Sequence, residues 1–474
     1  MSKIIGRTFE QNQLEKSINK NGAQLIVIYG RRRVGKTFLI NEFFNNKFTF
    51  KITGIYNKDK DEQLRNFQYE LEKRENAQSS KIADWYTAFN KLRDYIESLN
   101  KGYKKIIFFD EMPWLDSRKS DFISAFEYFW NDYAITNDEI IFIVCGSSSS
   151  WICDKFLNNK GGLFNRHTLR MFIEPFNLYE TELYMKENGF NWSRYDIAQI
   201  YMILGGIPYY LNLLDNSFSL NKNIDNLFFK RHSLLFDEFD KLYNTLFKND
   251  EYYKKIVIAL SNKRYGMTKK ELSTFDGIFN NGYLSNALNN LINSGFVRAS
   301  IKNGDAKETV YSLSDYFTIF YLKYVKDNYS KDEYYWENSY NNPSRYSWCG
   351  LAFEQVCFDH LNQLRKALGI NGILTNIYSF KSTKDESDGV QIDLVLDRKD
   401  NVLTLLEIKY SINEYEIDKD YYLKLLNKIN YFLTHKKNKS IQLVLISTIG
   451  LKNNMYSNVV NNSITLDDLF IDNK

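Results

Sequence analysis

The stretch Leu25-Ile26-Val27-Ile28-Tyr29-Gly30-Arg31-Arg32-Arg33-Val34-Gly35-Lys36-Thr37-Phe38 decides the fold. Its opening is a continuous apolar run, the mark of a strand buried on both faces of a parallel sheet. The run ends in Gly-x-x-x-x-Gly-Lys-Thr, the spacing that turns a strand into a helix around a phosphate group. Glycines let successive backbone N–H groups wrap the phosphates, Lys36 reaches the outer ones, and the Thr37 hydroxyl is placed to ligate Mg²⁺. Gly30, Arg31, Arg32, Arg33, Val34, Gly35, Lys36, Thr37 and Phe38 are therefore the expected nucleotide contacts. For the three arginines a solvated loop is an equally good reading.

Working outward, Ile106-Ile107-Phe108-Phe109-Asp110 and Ile140-Ile141-Phe142-Ile143-Val144-Cys145 repeat the buried-strand pattern, with amphipathic helical stretches between them. A doubly wound α/β domain over residues 1–175 follows. Asp110 and Glu111 stand at a strand end, where an aspartate holds the Mg²⁺ shell and a glutamate polarises the attacking water. Lys36, Asp110 and Glu111 form the expected catalytic set, with Thr37 and Asp110 as metal ligands. Ser147 and Ser148, past the next strand, read either as a helix cap or as a phosphate sensor.

Residues 176–249 are helical in pattern, interrupted at Gly205-Gly206-Ile207-Pro208. Residues 250–326 hold helix-like runs at 252–261, 268–275 and 283–294. Two strand-like runs follow, 296–301 and 309–313, about a turn at Asn303-Gly304-Asp305, which is the layout of a winged helix-turn-helix. The third helix carries Asn286, Asn289, Asn290 and Asn293 but neither lysine nor arginine, so DNA contact and internal packing are equally supported. The polar, aromatic stretch 327–347 reads as a connection.

Residues 348–474 mix strands and helices again. A helix-like run from Gly350 to Leu368 carries Glu354. Strand-like runs at 390–396 and 403–409 flank the turn Arg398-Lys399-Asp400-Asn401. In adjacent strands Asp393 and Glu407 converge, and the period of two puts Lys409 on the face of Glu407. Carboxylates that hold Mg²⁺ beside a lysine are what phosphodiester hydrolysis needs. The plainer reading is a solvated strand face with cross-strand charge pairs. Against it, both carboxylates interrupt strongly apolar strands, where burial without a partner or metal is costly. Glu354, Asp393, Glu407 and Lys409 are thus a second catalytic candidate set, with Asp393 and Glu407 as metal ligands. The helix expected over 419–435 would add lysines for a backbone-binding face.

Composition bounds the rest. A chain of 474 residues is long enough for two to four domains, and 44% hydrophobic with 25% charged residues is ordinary for a globular protein. A net charge of +4 neither requires nor excludes nucleic acid, so any basic surface is local. No apolar run approaches the ~20 residues that span a bilayer. The polar start lacks a signal-peptide core, and a cytoplasmic protein without a membrane partner is expected. Cys145, Cys153, Cys349 and Cys357 are single and widely spaced, which suits neither zinc nor a disulfide framework.

The phosphate loop, Asp110-Glu111 and the strand end Cys145-Gly146-Ser147-Ser148 resemble the archaeal-type ATPases of the STAND class, AAA-related P-loop proteins. Ile4-Ile5-Gly6-Arg7-Thr8-Phe9-Glu10 is similar to that class's opening hhGRExE motif, with Thr8 where the family has glutamate. Gly206-Ile207-Pro208 resembles the GxP element of the helical lid. The resemblance implies that Gly6, Arg7 and Pro208 join the nucleotide site, that residues 176–249 are the lid, and that Arg166 or Arg170 senses phosphate. Glu354, Asp393, Glu407 and Lys409 match the PD-(D/E)xK nuclease core, without its proline, and their place after such an ATPase resembles the DUF234 domain. The fold implied is α/β: a P-loop ATPase core at 1–175, the lid at 176–249, a winged helix at 250–326, a linker at 327–347 and a restriction-endonuclease-like domain at 348–474. The function implied is an ATPase that uses ATP and Mg²⁺ and couples nucleotide state to a DNA-associated, Mg²⁺-dependent deoxyribonuclease. The alternative is a nucleotide-dependent switch or scaffold for DNA or a protein partner with an inactive nuclease fold. Ring assembly among AAA-related proteins makes a homo-oligomer an expectation as well.

Overall fold

The apolar runs become the middle of a sheet. The computed structural model describes residues 4–78, 80–147, 149–158, 161–247, 249–328, 331–382, 389–436 and 438–472. They fall into two compact units that divide between Pro175 and Phe176. In the first, β1 (Gln24–Tyr29), β2 (Phe50–Thr53), β3 (Lys105–Asp110), β4 (Ile140–Gly146) and β5 (Leu169–Phe172) form a parallel sheet in the order β2-β3-β4-β1-β5. Helices cover its faces, which is why β4 is buried along its whole length. One face packs on an aromatic core that includes Phe67, Trp85, Phe89, Phe109 and Phe142. Helices Lys60–Glu75 and Trp85–Ser98 start on Asp59 and Asp84, whose side chains accept the Glu62 and Thr87 N–H groups. The chain order reverses around β1, so the carboxyl ends of β1, β3 and β4 open on one crevice, the usual ligand position in such sheets.

The second unit begins with helices Leu178–Glu187 and Arg194–Leu204, started by Asn177 and Ser193. Helices Asp250–Ser261, Lys269–Leu272 and Gly282–Asn293 precede an antiparallel hairpin, β6 (Val297–Lys302) and β7 (Asp305–Leu313). A mixed sheet follows in the order β12-β11-β10-β9-β8. Its strands are β8 (Thr375–Lys381), β9 (Gln391–Arg398), β10 (Val402–Lys409), β11 (Ser440–Ser447) and β12 (Asn462–Thr465). β8, β9 and β10 are antiparallel neighbours, whereas β10, β11 and β12 run parallel. Helix Lys419–His435 makes the crossover that the parallel β10–β11 pair requires.

Residues 327–347 differ from the expected bare connection. They contain helix Tyr335–Asn338 and the start of helix Pro343–Asp359, and Trp336 is 1% exposed. Its ring meets Phe320, Tyr324 and Trp348 edge-on, with the Arg345 guanidinium 4.0 Å over its face. Buried Asp225 accepts the Trp336 and Glu337 N–H groups at 2.8 and 3.1 Å. The aromatics that looked like linker residues are core. Trp336→Ala is therefore expected to lower unfolding stability by about 3–5 kcal/mol in chemical denaturation. A loss under about 1 kcal/mol, the scale of a surface substitution, would contradict this packing.

Candidate functional site

The phosphate loop departs from ordinary backbone at three points. Gly30 has φ +141° and lies so near Ile173 that an added Cβ would meet the Ile173 carbonyl oxygen at 2.5 Å. Arg33 (φ 73°) and Gly35 (φ 90°) are also left-handed, which curls the loop into the start of helix Lys36–Phe43. Lys36 is 5% exposed, and its ammonium donates to the Gly30 carbonyl (2.9 Å), the Arg31 carbonyl (2.8 Å) and Ser147 Oγ (3.1 Å). All three of its hydrogens are engaged by protein. Burial lowers its pKa, while Cys145, Glu111 and Asp110 pull it back up.

The acidic pair closes around the same point. Thr37 Oγ1 donates to Asp110, lying 3.0 Å from both carboxylate oxygens. Glu111 accepts Ser147 Oγ at 2.6 Å and the Ser147 N–H at 3.1 Å. Ser147 therefore joins Lys36 to Glu111, a role that the cap-or-sensor reading only half anticipated; Ser148 lies outside the described residues. Glu111 itself is left-handed (φ 45°), and its carbonyl sits where a Cβ on Gly54 would be, 2.5 Å away. Such strain marks functional positions. No sequence signal pointed to Gly54. A Thr hydroxyl and a buried carboxylate are hard oxygen ligands, so the pair fits Mg²⁺.

The opening motif reaches this loop. Arg7 donates to the Val34 carbonyl at 3.1 Å and pairs with Glu10 at 3.7 Å, with both side chains buried. Gly6 is left-handed, and the Gln11 amide caps its carbonyl at 2.9 Å. Arg31 is buried rather than solvated, Arg32 and Arg33 are partly buried, and Phe38 is exposed on the first helical turn. Arg166 and Arg170 are exposed, Arg170 on β5. Pro208 belongs to the second unit, at the first position of helix Pro208–Leu211. There Gly206 packs so tightly that a Cβ would strike the Phe176 carbonyl.

The second unit brings part of the other acidic set together. Glu407 is 1% exposed on β10 and accepts Lys428 Nζ at 2.7 Å and the Tyr421 hydroxyl at 2.8 Å, with Lys409 Nζ 3.8 Å away. Burial raises its pKa first and the neighbouring Asp393 second, against the pull of Lys428 and Lys409. Asp393 on β9 accepts the Ile408 N–H at 3.0 Å. Glu354, on helix Pro343–Asp359, forms an ion pair with Arg264. The donors are hard oxygens suited to Mg²⁺, but protein cations already face them. Among the described residues, no three His, Cys, Asp or Glu side chains are gathered to hold a metal. Sequence reasoning missed Lys428, Tyr421 and Arg264, none of which belongs to a local motif.

The first crevice defines a class: a parallel-sheet, P-loop ATPase-like core. Residues 5–214 match the family described as an ATPase domain predominantly from Archaea. An uncharacterized protein of Methanocaldococcus jannaschii, MJECL04, is 28% identical over 419 residues, 86% of this chain and 87% of that one. The uncharacterized ATP-binding protein MJ0423 of the same organism is 54% identical over 44 residues, 9% of this chain and 75% of its own. The Walker-type ATPase PABY2304 of Pyrococcus abyssi superposes with a TM-score of 0.50 at 16% identity, over 68% of this chain and 96% of its own. At that identity the likeness is one of fold. Among the described residues, no helix is long and apolar enough to cross a membrane.

Two outcomes follow from this geometry. Glu111→Gln is expected to slow ATP turnover by roughly 10²–10⁴-fold, the scale of a lost general base, with nucleotide affinity retained in equilibrium binding. Equal loss of affinity would show that Glu111 only shapes the pocket. Burial, and then Glu111, hold the Asp110 carboxyl above its usual range. Because Mg²⁺ needs the anion, acidification should weaken Mg²⁺-dependent nucleotide binding at a higher pH than an ordinary aspartate would. A titration midpoint in the ordinary aspartate range contradicts this.

Proposed function

We propose that the chain hydrolyses ATP at the Lys36–Thr37–Asp110–Glu111 crevice and uses its nucleotide state to control the second unit. The observation that carries this is the single cluster in which Ser147 links the phosphate-loop lysine to the glutamate beside the Thr37–Asp110 pair. Mg²⁺ between Thr37 and Asp110 would neutralise the outer phosphates. Glu111 orients the attacking water, and Lys36 moves from the loop carbonyls onto phosphate. In this reading Arg31, Arg32, Arg33, Phe38, Gly6 and Arg7 line or brace the nucleotide site, and Pro208 is the proline of the lid's GxP element.

In the second unit, the reading is a winged helix at 250–326 followed by a PD-(D/E)xK nuclease-like domain of the DUF234 kind, acting on DNA. The convergence of Asp393, Glu407 and Lys409 on one end of β9 and β10 supports it. Mg²⁺ held by Asp393 and Glu407 would supply an activated water. A second reading, a nucleotide-dependent switch or scaffold with an inactive nuclease fold, draws on a specific feature: Glu354 and Glu407 already have protein cations as partners. An assay of ATP turnover and Mg²⁺-dependent DNA cleavage on the full chain separates these. Lys36→Ala is expected to abolish turnover, and unchanged turnover refutes the site. Asp393→Ala is expected to abolish cleavage. Absence of cleavage by the unaltered protein, with and without ATP, leaves the switch reading.

A further inference from the structure

A cavity of about 610 Å³ lies between the helix-and-hairpin segment 250–313 and the C-terminal sheet. Arg264, Tyr265, Arg298, Glu354, Lys381 and Asp393 are among the residues that line it. Its chemistry is unusual for the gap between two packed segments. Two carboxylates of the candidate nuclease set face it, and the cation that meets them comes from the other wall. Arg264 sits in the turn after helix Asp250–Ser261, pairs with Glu354, and lines the same cavity as Asp393. Desolvation lowers its pKa, against the pull of Tyr265 and Asp393.

Arg264 itself is exposed, and the chain around it is tied to the C-terminal helix and sheet. Asn303 in the hairpin turn exchanges two hydrogen bonds with the Lys381 backbone, at 2.8 and 3.0 Å. The Gln355 amide donates to the Ser314 carbonyl at 2.6 Å, and the Tyr316 hydroxyl donates to Asp359 at 2.6 Å. Arg298 pairs with Asp359, and the Gln391 amide meets the Tyr265 hydroxyl. These anchors are polar, Ile301 of the hairpin also packs on the core of the C-terminal sheet, and a roomy cavity remains between the walls. An interface of that kind opens more readily than a dry apolar one.

We infer that Arg264 is the resident cation of the Glu354–Asp393 centre and that a divalent cation must displace it to bind. The inference rests on the proposed nuclease-like reading of this centre and deepens it, by assigning a device that keeps the centre shut. Carboxylates facing a cavity demand positive charge. A guanidinium satisfies that demand but fills the space a metal and a phosphodiester would use. Withdrawal of the helix-and-hairpin segment would carry Arg264 off and leave the carboxylates open to Mg²⁺. The segment thereby serves as an internal lock whose key is whatever moves it.

The test is equilibrium binding of Mn²⁺ to the full-length, nucleotide-free chain, read by electron paramagnetic resonance. Arg264→Ala should tighten Mn²⁺ binding by roughly tenfold, an ordinary coupling between competing ligands, and adding Asp393→Asn should remove that gain. Arg264→Gln, which keeps the side-chain stem, should behave like Arg264→Ala and guards against a folding defect. Lys270→Ala, which removes an exposed lysine outside the cavity lining, should leave Mn²⁺ affinity unchanged. Asp393-dependent Mn²⁺ binding of equal strength with and without Arg264 overturns the lock and leaves the nuclease reading standing. No Asp393-dependent Mn²⁺ binding in any variant overturns both.

Discussion

A buried ammonium group is the constraint on which the first unit depends. Removing Lys36 from water costs free energy unless its hydrogens are all accepted. The loop carbonyls of Gly30 and Arg31, together with Ser147, accept them. That requirement explains the curled, left-handed loop and the position of Ser147 at the end of β4. It also makes the site responsive. A phosphate that takes the ammonium must take it from these partners, so binding disturbs Ser147 and, through it, Glu111. In the proposed mechanism, nucleotide occupancy and the posture of the glutamate would thus be physically joined.

The second unit meets a related demand with the opposite sign. Its buried or cavity-facing carboxylates are compensated from elsewhere in the chain: Glu407 by Lys428 and the Tyr421 hydroxyl from the crossover helix, Glu354 by Arg264 from the turn after helix Asp250–Ser261. Buried charges left unpaired would cost several kcal/mol, so these cations are as much a part of the centre as the acids. The hairpin, whose charge-poor neighbouring helix left DNA contact and internal packing level, is packed internally through Asn303 and Arg298.

Strands β1, β3 and β4 were legible because strands covered on both faces must be apolar throughout, and the loop was legible because phosphate binding restricts its spacing. Asp393 and Glu407 were legible as carboxylates interrupting apolar strands. What escaped is tertiary. Ser147 acquires its meaning only when β4 lies beside β1, and Gly54 only when the Glu111 carbonyl crowds it. Lys428 looks like any charged residue on an amphipathic helix, and nothing in the local sequence pairs it with Glu407. Residues 327–347 looked like a linker because their aromatics are dispersed among polar residues, and the partners that bury them, Phe320, Asp225 and Trp348, lie outside that stretch.

The most direct measurement is a crystal structure of the chain with Mg²⁺ and a non-hydrolysable ATP analogue. The account predicts the triphosphate within residues 30–37, Lys36 Nζ shifted from the Gly30 and Arg31 carbonyls onto phosphate oxygen, and Mg²⁺ between Thr37 and Asp110. A nucleotide bound elsewhere, with Lys36 still donating to both carbonyls, would contradict it.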